Sequence, residues 1–430
     1  MTRSALERLD AVELARGLAR REIRAQDLMR ACLDRIAERE PQVHAFAHLA
    51  ADAALEHARQ LDAGALRGPL HGLPLGVKDL FDTHDMPGAY GSPIYSGHRA
   101  SWDAAAVALC RDAGAIVVGK TVTTEFATFH PGPTRNPHDT TRTPGGSSSG
   151  SAAAVADHLV ALALGTQTAA SIIRPAAFCG VVGFKPSIGR TPRAGMKLLS
   201  ESLDTVGGFG RSVADAGLLA SVLTGDARLQ VDAPDGATVP RVGGFQGPDW
   251  ARADADTRAL WDRVSQRLAT LAPGSSAVAT PAWFEPLASL QTDLMLHEAA
   301  RGLTDERLRH ADLLSPRLSA NLSAGLAVSA TAHATNLIAV QRVRQQAASL
   351  FGNHDLLIAP SAIGEAGPAA DGTGDPVFCR AWTLLGLPCL HLPLGVGRHG
   401  LPIGLQLIGR FMEDERVLQA GAWLHPRLHD

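Results

Sequence analysis

Residues 105–121 read AAVALCRDAGAIVVGKT, and the change of period inside this stretch decides the fold class. Apolar residues first recur at three- and four-residue spacing and then run together as Ala-Ile-Val-Val. That pattern predicts a helix feeding a buried strand. Upstream, LHGLPLGVKDL at 70–80 carries a short apolar strand signal, and downstream AAAVADHLVALALGTQ at 152–167 repeats the helix-then-strand order. Helices alternating with buried strands imply an α/β sheet.

Working outward, residues 5–63 read as helices, ELARGLARREI, AQDLMRACLDRIAERE and AADAALEHARQLDAGA, punctuated by Pro41 and Gly64. From Thr128 to Ser151 the chain turns to His, Pro, Asn, Thr, Gly and Ser, a long loop of the kind kept for function. A second stretch, TAASIIRPAAFCGVVGFKPS, also reads as irregular. The stretches 252–272 and 286–351 are amphipathic helical, with Asp-Ala-Asp-Thr and Ser-Pro start signals. DLLIAPSA is a strand. After it GEAGPAADGTGDP is a loop, AWTLLGL is helical, and LPCLHLPLG and LPIGLQLIG form a hairpin around Arg398, His399 and Gly400. No segment has the length of a linker, so the expectation is one domain.

The 430 residues carry 40 basic and 43 acidic side chains, a net charge of -3. This balance gives no electrostatic footprint for nucleic acid or an anionic membrane and points to a small-molecule substrate. The amino terminus interleaves charges too closely for a signal peptide or a membrane span, so the expected location is the cytoplasm. Cys32, Cys110, Cys179, Cys379 and Cys389 are expected to be buried free thiols, and none has metal-ligand spacing. His297-Glu298 lacks the second histidine of a zinc helix and reads as a surface pair. No metal or organic cofactor is expected. Lysine occurs only as Lys78, Lys120, Lys185 and Lys197, and an amine, unlike a guanidinium, can serve as a base.

Chemistry concentrates in TPGGSSSGSAAAVA at 143–156, where four serines and three glycines precede an alanine-rich helix. A nucleotide P-loop is excluded because no Gly-Lys-Ser/Thr follows. The G-x-S-x-G pattern at 146–150 would make Ser148 a nucleophile only if a strand lay directly upstream, and residues 136–144 are polar and turn-forming. The other two candidates are GTQTAASIIRPAAFCGVVGFKP at 165–186 and GVKD at 76–79.

Together these three stretches resemble the amidase-signature family: Lys78 in GVKD, Ser147 in GGSSSGS, and Ser171 in the segment S-I-I-R-P-A-A-F-C-G, with the serines 24 positions apart. The likeness continues through HGLPLGVKDLFDT, GAIVVGKT, NPH, SLDTVGGFGRSVADA, TGDPVF, WTLLGLP and GLPIGLQLIGR. GTQT and Arg174, three places after Ser171, look most like the malonamidase-type branch. The resemblance implies a single α/β domain over 1–430, a mixed sheet between helices, with N-terminal helices at 1–65, a signature core at 66–225 and a C-terminal part at 226–430. It further implies hydrolysis of a small carboxamide, malonamate being one candidate, and a possible homodimer.

In that family pattern Lys78 is the base, Ser147 follows a cis peptide bond and relays the proton, and Ser171 is the nucleophile forming an acyl-enzyme. Physical reasoning agrees. An amide needs an activated nucleophile, a proton donor for the leaving amine and a polarised carbonyl, and burial after Leu73–Val77 would lower the pKa of Lys78. A salt bridge of Lys78 with Asp79 or Asp82 is the bland alternative. The oxyanion hole is expected from backbone N–H groups of Thr168, Ala169, Ala170 and Ser171. Ala170 stands where the family commonly has glycine, which would strain a turn needing positive φ. Arg174 reads either as a clamp for a substrate carboxylate or as a structural arginine tied to backbone carbonyls. Ser148, Ser149 and Ser151 read as loop-shaping hydroxyls. Two other readings are an amidotransferase subunit passing ammonia to a partner and a non-catalytic binding protein of the same fold.

Overall fold

A computed structural model describes residues 6, 9–231 and 239–429. The first residues of the expected N-terminal helical region, 1–5, 7 and 8, lie outside that description. One mixed sheet of eleven strands, in the order β1-β3-β2-β4-β6-β5-β10-β11-β9-β7-β8, runs through the molecule. Its strands are β1 Phe46–Leu49, β2 Pro74–Lys78, β3 Ile116–Thr121, β4 Leu162–Gln167, β5 Val182–Lys185 and β6 Thr205–Gly210. They continue with β7 Val242–Gly244, β8 Ser276–Ala277, β9 Leu356–Pro360, β10 Cys389–Val396 and β11 Pro402–Ile408. The helix-strand alternation read from 105–121 appears as α4 Ala105–Asp112 followed by β3, after α1 Ala11–Ala19, α2 Ala25–Val43 and α3 Ala51–Ala63. β3, β2 and β4 pair in parallel, as the crossovers through helices require.

The sheet has helices on both faces because its strands carry apolar side chains on both. In the hairpin β10–β11, Leu390, Leu392, Leu394, Ile403, Leu405 and Leu407 turn to one core cluster, while His391 and Gln406, paired in register, turn to the other side. That cluster also takes α7 Val213–Thr224, α8 Ala255–Leu271 and α14 Asp414–Leu428, the helix that follows α13 Arg380–Leu385 in the chain. The larger cluster holds the N-terminal helices, α5 Ser149–Ala156 and the later helices α9 Leu287–Gly302, α11 Pro316–Ala327 and α12 Ala330–Gln346, with short α10 Thr304–Arg309 between α9 and α11. Asp254 caps the start of α8, accepting from Thr257 N at 2.8 Å. Ser315 accepts from Leu318 N at 3.2 Å but starts α11, inside the 286–351 stretch, because that stretch breaks into several helices.

Four local expectations are corrected. α1 ends at Ala19 rather than at Ile23, because Arg21 turns left-handed with φ 58°. Pro41 does not break α2; it rides in the last turn, and the helix ends at Val43 with His44 left-handed. The long loop stops at Ser148, since Ser149 to Ser151 already belong to α5. The second stretch is not irregular: it contains α6 Ile173–Cys179 and β5. Pro175 sits in the first turn of α6, where a missing N–H is tolerated, and Gly180 closes the helix with φ 69°. All five cysteines are buried and free.

Beside the central strands, Lys120 of β3 is fully buried against Asp79, Nζ to Oδ1 at 2.6 Å. Removing one member of such a pair leaves a bare charge in the core. Asp79→Ala is therefore expected to lower stability by about 3–5 kcal/mol, read as a shift of the urea midpoint at unchanged slope.

Candidate active site

Lys78 ends β2 with its side chain at zero exposure. Its amine is held not by Asp79 or Asp82, as the bland reading had it, but by two hydroxyls: Nζ lies 2.8 Å from Ser147 Oγ and 2.7 Å from Thr166 Oγ1. Burial pushes its pKa well below the usual amine range, against a smaller upward pull from Asp204. The other three lysines are committed elsewhere. Lys120 pairs with Asp79, Lys185 donates to the carbonyls of Pro186 and Leu387, and Lys197 meets Glu306 and Tyr95. Sequence reading missed Thr166, which no local signal marks: its contact with Lys78 arises from the pairing of β4 with β2.

The serine-rich loop is shaped as its hydroxyls predict. Ser148 Oγ donates to Thr166 O, Ser149 Oγ to Gly145 O and Ser151 Oγ to Leu164 O, at 3.2, 2.8 and 2.8 Å. The Gly146-Ser147 peptide bond is cis. Gly145 has φ 80°, a left-handed conformation that suits glycine. Gly150 has a steric role, because a Cβ there would lie 2.1 Å from Ala45 O and 2.4 Å from Val122 N.

Ser171 stands just before α6, nearly buried, and makes no hydrogen bond to Ser147 among the described residues. It opens instead on a partly open cavity. Leu199, Met295, Leu296, Ala299, Leu318 and Leu322 give that cavity a largely apolar wall; Thr128, Thr168, Asn321 and Arg174 are its other polar contributors. The carbonyls before Ser171 are all taken: Thr168 O accepts from Gln291 Nε2 at 2.9 Å, Ala169 O from Thr383 Oγ1 at 2.7 Å, and Ala170 O from Arg174 N at 2.9 Å. Gln167 Oε1 caps α6 by accepting from Ile172 N and Ile173 N at 2.9 and 3.0 Å. By contrast, the backbone N–H groups of Thr168, Ala169, Ala170 and Ser171 donate to no other described residue. Four free donors in a row suit an anionic oxygen. Ala170 is fully buried and does not have positive φ, so its methyl strains no turn.

Arg174 takes the structural reading. Its fork donates to Gly374 O at 2.9 Å, Gly146 O at 2.7 Å and Thr373 Oγ1 at 3.3 Å. Gly146 O belongs to the cis peptide, so Arg174 ties the helix behind Ser171 to the loop bearing Ser147. Burial lowers its pKa to about 10, which leaves it charged at neutral pH. The loop 364–376 reaches the cavity through Pro376 and is anchored by the same guanidinium. His297-Glu298 is no simple surface pair: His297 stacks on His333, and Glu298 accepts from Ser202 N and Oγ at 3.0 and 2.6 Å.

Among the described residues, His84, Asp85 and Asp103 are the one group with ligand atoms close enough for a metal. Arg111 already pairs with both carboxylates, at 2.8 and 3.2 Å. None of the three lines the cavity.

A single α/β domain with a buried amine, hydroxyls beside it and a cleft at the end of the sheet defines an enzyme that cleaves amide C–N bonds. The chain belongs to the amidase family, whose sequence profile, described as amidase, matches residues 27–248 and 259–418. A glutamyl-tRNA(Gln) amidotransferase subunit of Acidothermus cellulolyticus is 36% identical, over 98% of this chain and 94% of its own. A crystal structure of an amidase, 33% identical, superposes with a TM-score of 0.89 over 98% of this chain and 100% of its own. Peptide amidase from Stenotrophomonas maltophilia, 29% identical, gives a TM-score of 0.83 over 98% and 97%.

Gly150→Ala tests the close packing of the first turn of α5. The methyl must displace backbone, so a loss of about 3 kcal/mol is expected, measured by denaturant unfolding.

Proposed function

We propose that the chain hydrolyses an amide with an apolar acyl group, through an acyl-enzyme on Ser171, with Lys78 as base and Ser147 as proton relay. The observation that carries this reading is the buried amine of Lys78 against Ser147 Oγ, behind a serine that opens on a largely apolar cavity beside free N–H groups. A neutral amine has a lone pair, and desolvation keeps Lys78 toward that form. Lys78 takes a proton from Ser147, which takes one from Ser171 as Oγ attacks the carbonyl carbon. The carbonyl oxygen becomes an oxyanion facing the N–H groups of residues 168–171. The C–N bond then breaks while the proton returns along the same path to the leaving nitrogen. Water, deprotonated by the relay, cleaves the ester and releases the carboxylic acid.

The wall favours an apolar acyl group over malonamate, because the fork of Arg174 is already used on backbone oxygens. A second reading has one specific support, the identity of 36% to an amidotransferase subunit: the chain would release ammonia from an amide for a partner enzyme. An isolated chain that labels at Ser171 yet hydrolyses no amide would favour it.

Intact mass after an aryl fluorophosphonate is expected to show one adduct in the wild type, none in Ser171→Ala and slow formation in Lys78→Ala. Labelling of all three alike would sink the assignment. Hexanamide should exceed malonamate in kcat/KM by at least about 100-fold, the effect of three to four buried methylenes. Because the base must be unprotonated, the rate should rise with pH along a limb whose midpoint lies below the free-amine value of 10.5.

A further inference from the structure

Apart from Ser171, four polar side chains line the cavity: Thr128, Thr168, Arg174 and Asn321. Three of them are spent inside the protein. Thr128 Oγ1 donates to Glu125 O at 2.6 Å and Thr168 Oγ1 to Asp204 Oδ1 at 2.5 Å. The terminal nitrogens of Arg174 serve Gly374 O, Gly146 O and Thr373 Oγ1, and its Nε is sealed from solvent. Asn321 differs. Its carboxamide makes no hydrogen bond to any described residue, although it is half-buried and shares one face of α11 with Leu318 and Leu322.

An unmatched carboxamide costs nothing while water reaches it. An acyl chain laid across the wall displaces that water, and a methylene in its place leaves a donor and an acceptor bare. This face of α11 therefore selects against an acyl group that is apolar throughout. What it selects for follows from the shape of the group. A primary carboxamide presents an N–H and a C=O side by side on one edge, so a second primary carboxamide meets that edge with two parallel N–H···O bonds. A trans secondary amide holds its N–H and C=O on opposite edges and can make only one. A carboxylate offers acceptors alone and would bring its charge among the leucines of the wall.

We propose that Asn321 is a specificity-determining residue that binds a second primary carboxamide in the acyl part of the substrate, so that the preferred substrate is a diamide whose two carboxamides are joined by an apolar chain. The inference rests on Ser171 attacking an amide in this cavity and narrows the substrate of that reaction. Water cleaves one C–N bond, ammonia leaves, and the product keeps the far carboxamide. A second round would bring the new carboxylate against Asn321 and its flanking leucines, so the reaction stops at the monoamide acid.

The test measures kcat/KM for the straight-chain diamides from succinamide to suberamide in the wild type and Asn321→Leu. Each diamide is set beside the monoamide and the ω-carboxylate of the same chain length, as adipamide beside hexanamide and adipamate. At the chain length that reaches from Ser171 to Asn321, the diamide should exceed the monoamide by about tenfold after correction for its two equivalent ends, the effect of two neutral hydrogen bonds. Adipamide should yield adipamate without adipate. In Asn321→Leu the ratio should fall to one or below, and hexanamide should react faster, since a leucine leaves no donor or acceptor bare.

No chain length favouring the diamide, a preference that survives in Asn321→Leu, or a preference for the ω-carboxylate overturns the inference. If Asn321→Leu fails to fold by thermal melting, Asn321→Ala decides by the same ratio. Ser171→Ala separates this inference from the reading beneath it. Hexanamide hydrolysis that is lost in Ser171→Ala but comes with no diamide preference in the wild type defeats only the role of Asn321. Hydrolysis that survives in Ser171→Ala, or a wild type that cleaves none of these amides, defeats the underlying reading as well.

Discussion

An amine buried at the end of a central strand is the constraint on which the rest of the site depends. Charged, Lys78 would need a carboxylate partner in the core, and Asp79, its neighbour in sequence, is instead paired with Lys120. Its remaining neighbours are neutral hydroxyls, Ser147 and Thr166. Low dielectric with only neutral partners favours the uncharged amine, and that choice determines what the loop must be. Ser147 has to be carried into the core by a segment thin enough to reach it, which explains glycines on either side and serines that satisfy their own backbone. The cavity then lies on the far side of the loop, where Ser171 meets it.

The same logic orders the nucleophile segment. A stretch of backbone in a buried place must find partners for its polar groups. Here the carbonyls of residues 168–170 find Gln291, Thr383 and the turn of α6, while the N–H groups donate to no other described residue. Satisfying one edge of the peptide units and leaving the other free fixes the direction of the donors before any substrate arrives, which is what preorganisation requires. Gln167 completes this by capping α6 at Ile172 and Ile173 rather than at Ser171.

How much of this was legible in the sequence follows from which interactions are local. Strand β2 and the α4–β3 unit were readable because period and burial act over a few neighbouring residues. Lys78 and Ser147, 69 positions apart, were named together only through the family resemblance, and they are in contact. Thr166 stayed hidden because its contact with Lys78 exists only once β2 and β4 are neighbours. α6 was missed because Pro175 is a helix breaker except in a first turn, and no local signal says where the first turn lies. The two readings of Arg174 were open in the sequence because orientation is tertiary. In the structure its fork meets Gly374 O, 200 positions away.

The division of labour within the chain follows from the same distinction. Lys78, Ser147 and Ser171 come from strands and loops between residues 78 and 171, where each position is dictated by backbone packing on several sides. The cavity wall comes mainly from α9 and α11, through Met295, Leu296, Ala299, Leu318 and Leu322. Those positions have the spacing of an ordinary buried helix face, so a wall for substrate and a wall for core look alike in sequence. A substitution at Leu296, Ala299, Leu318 or Leu322 changes the volume and polarity of the cavity away from the hydrogen bonds of Lys78, whereas Met295 also meets Gln291, which holds the Thr168 carbonyl. Asn321 is the one polar side chain of α11 among the residues that line that wall.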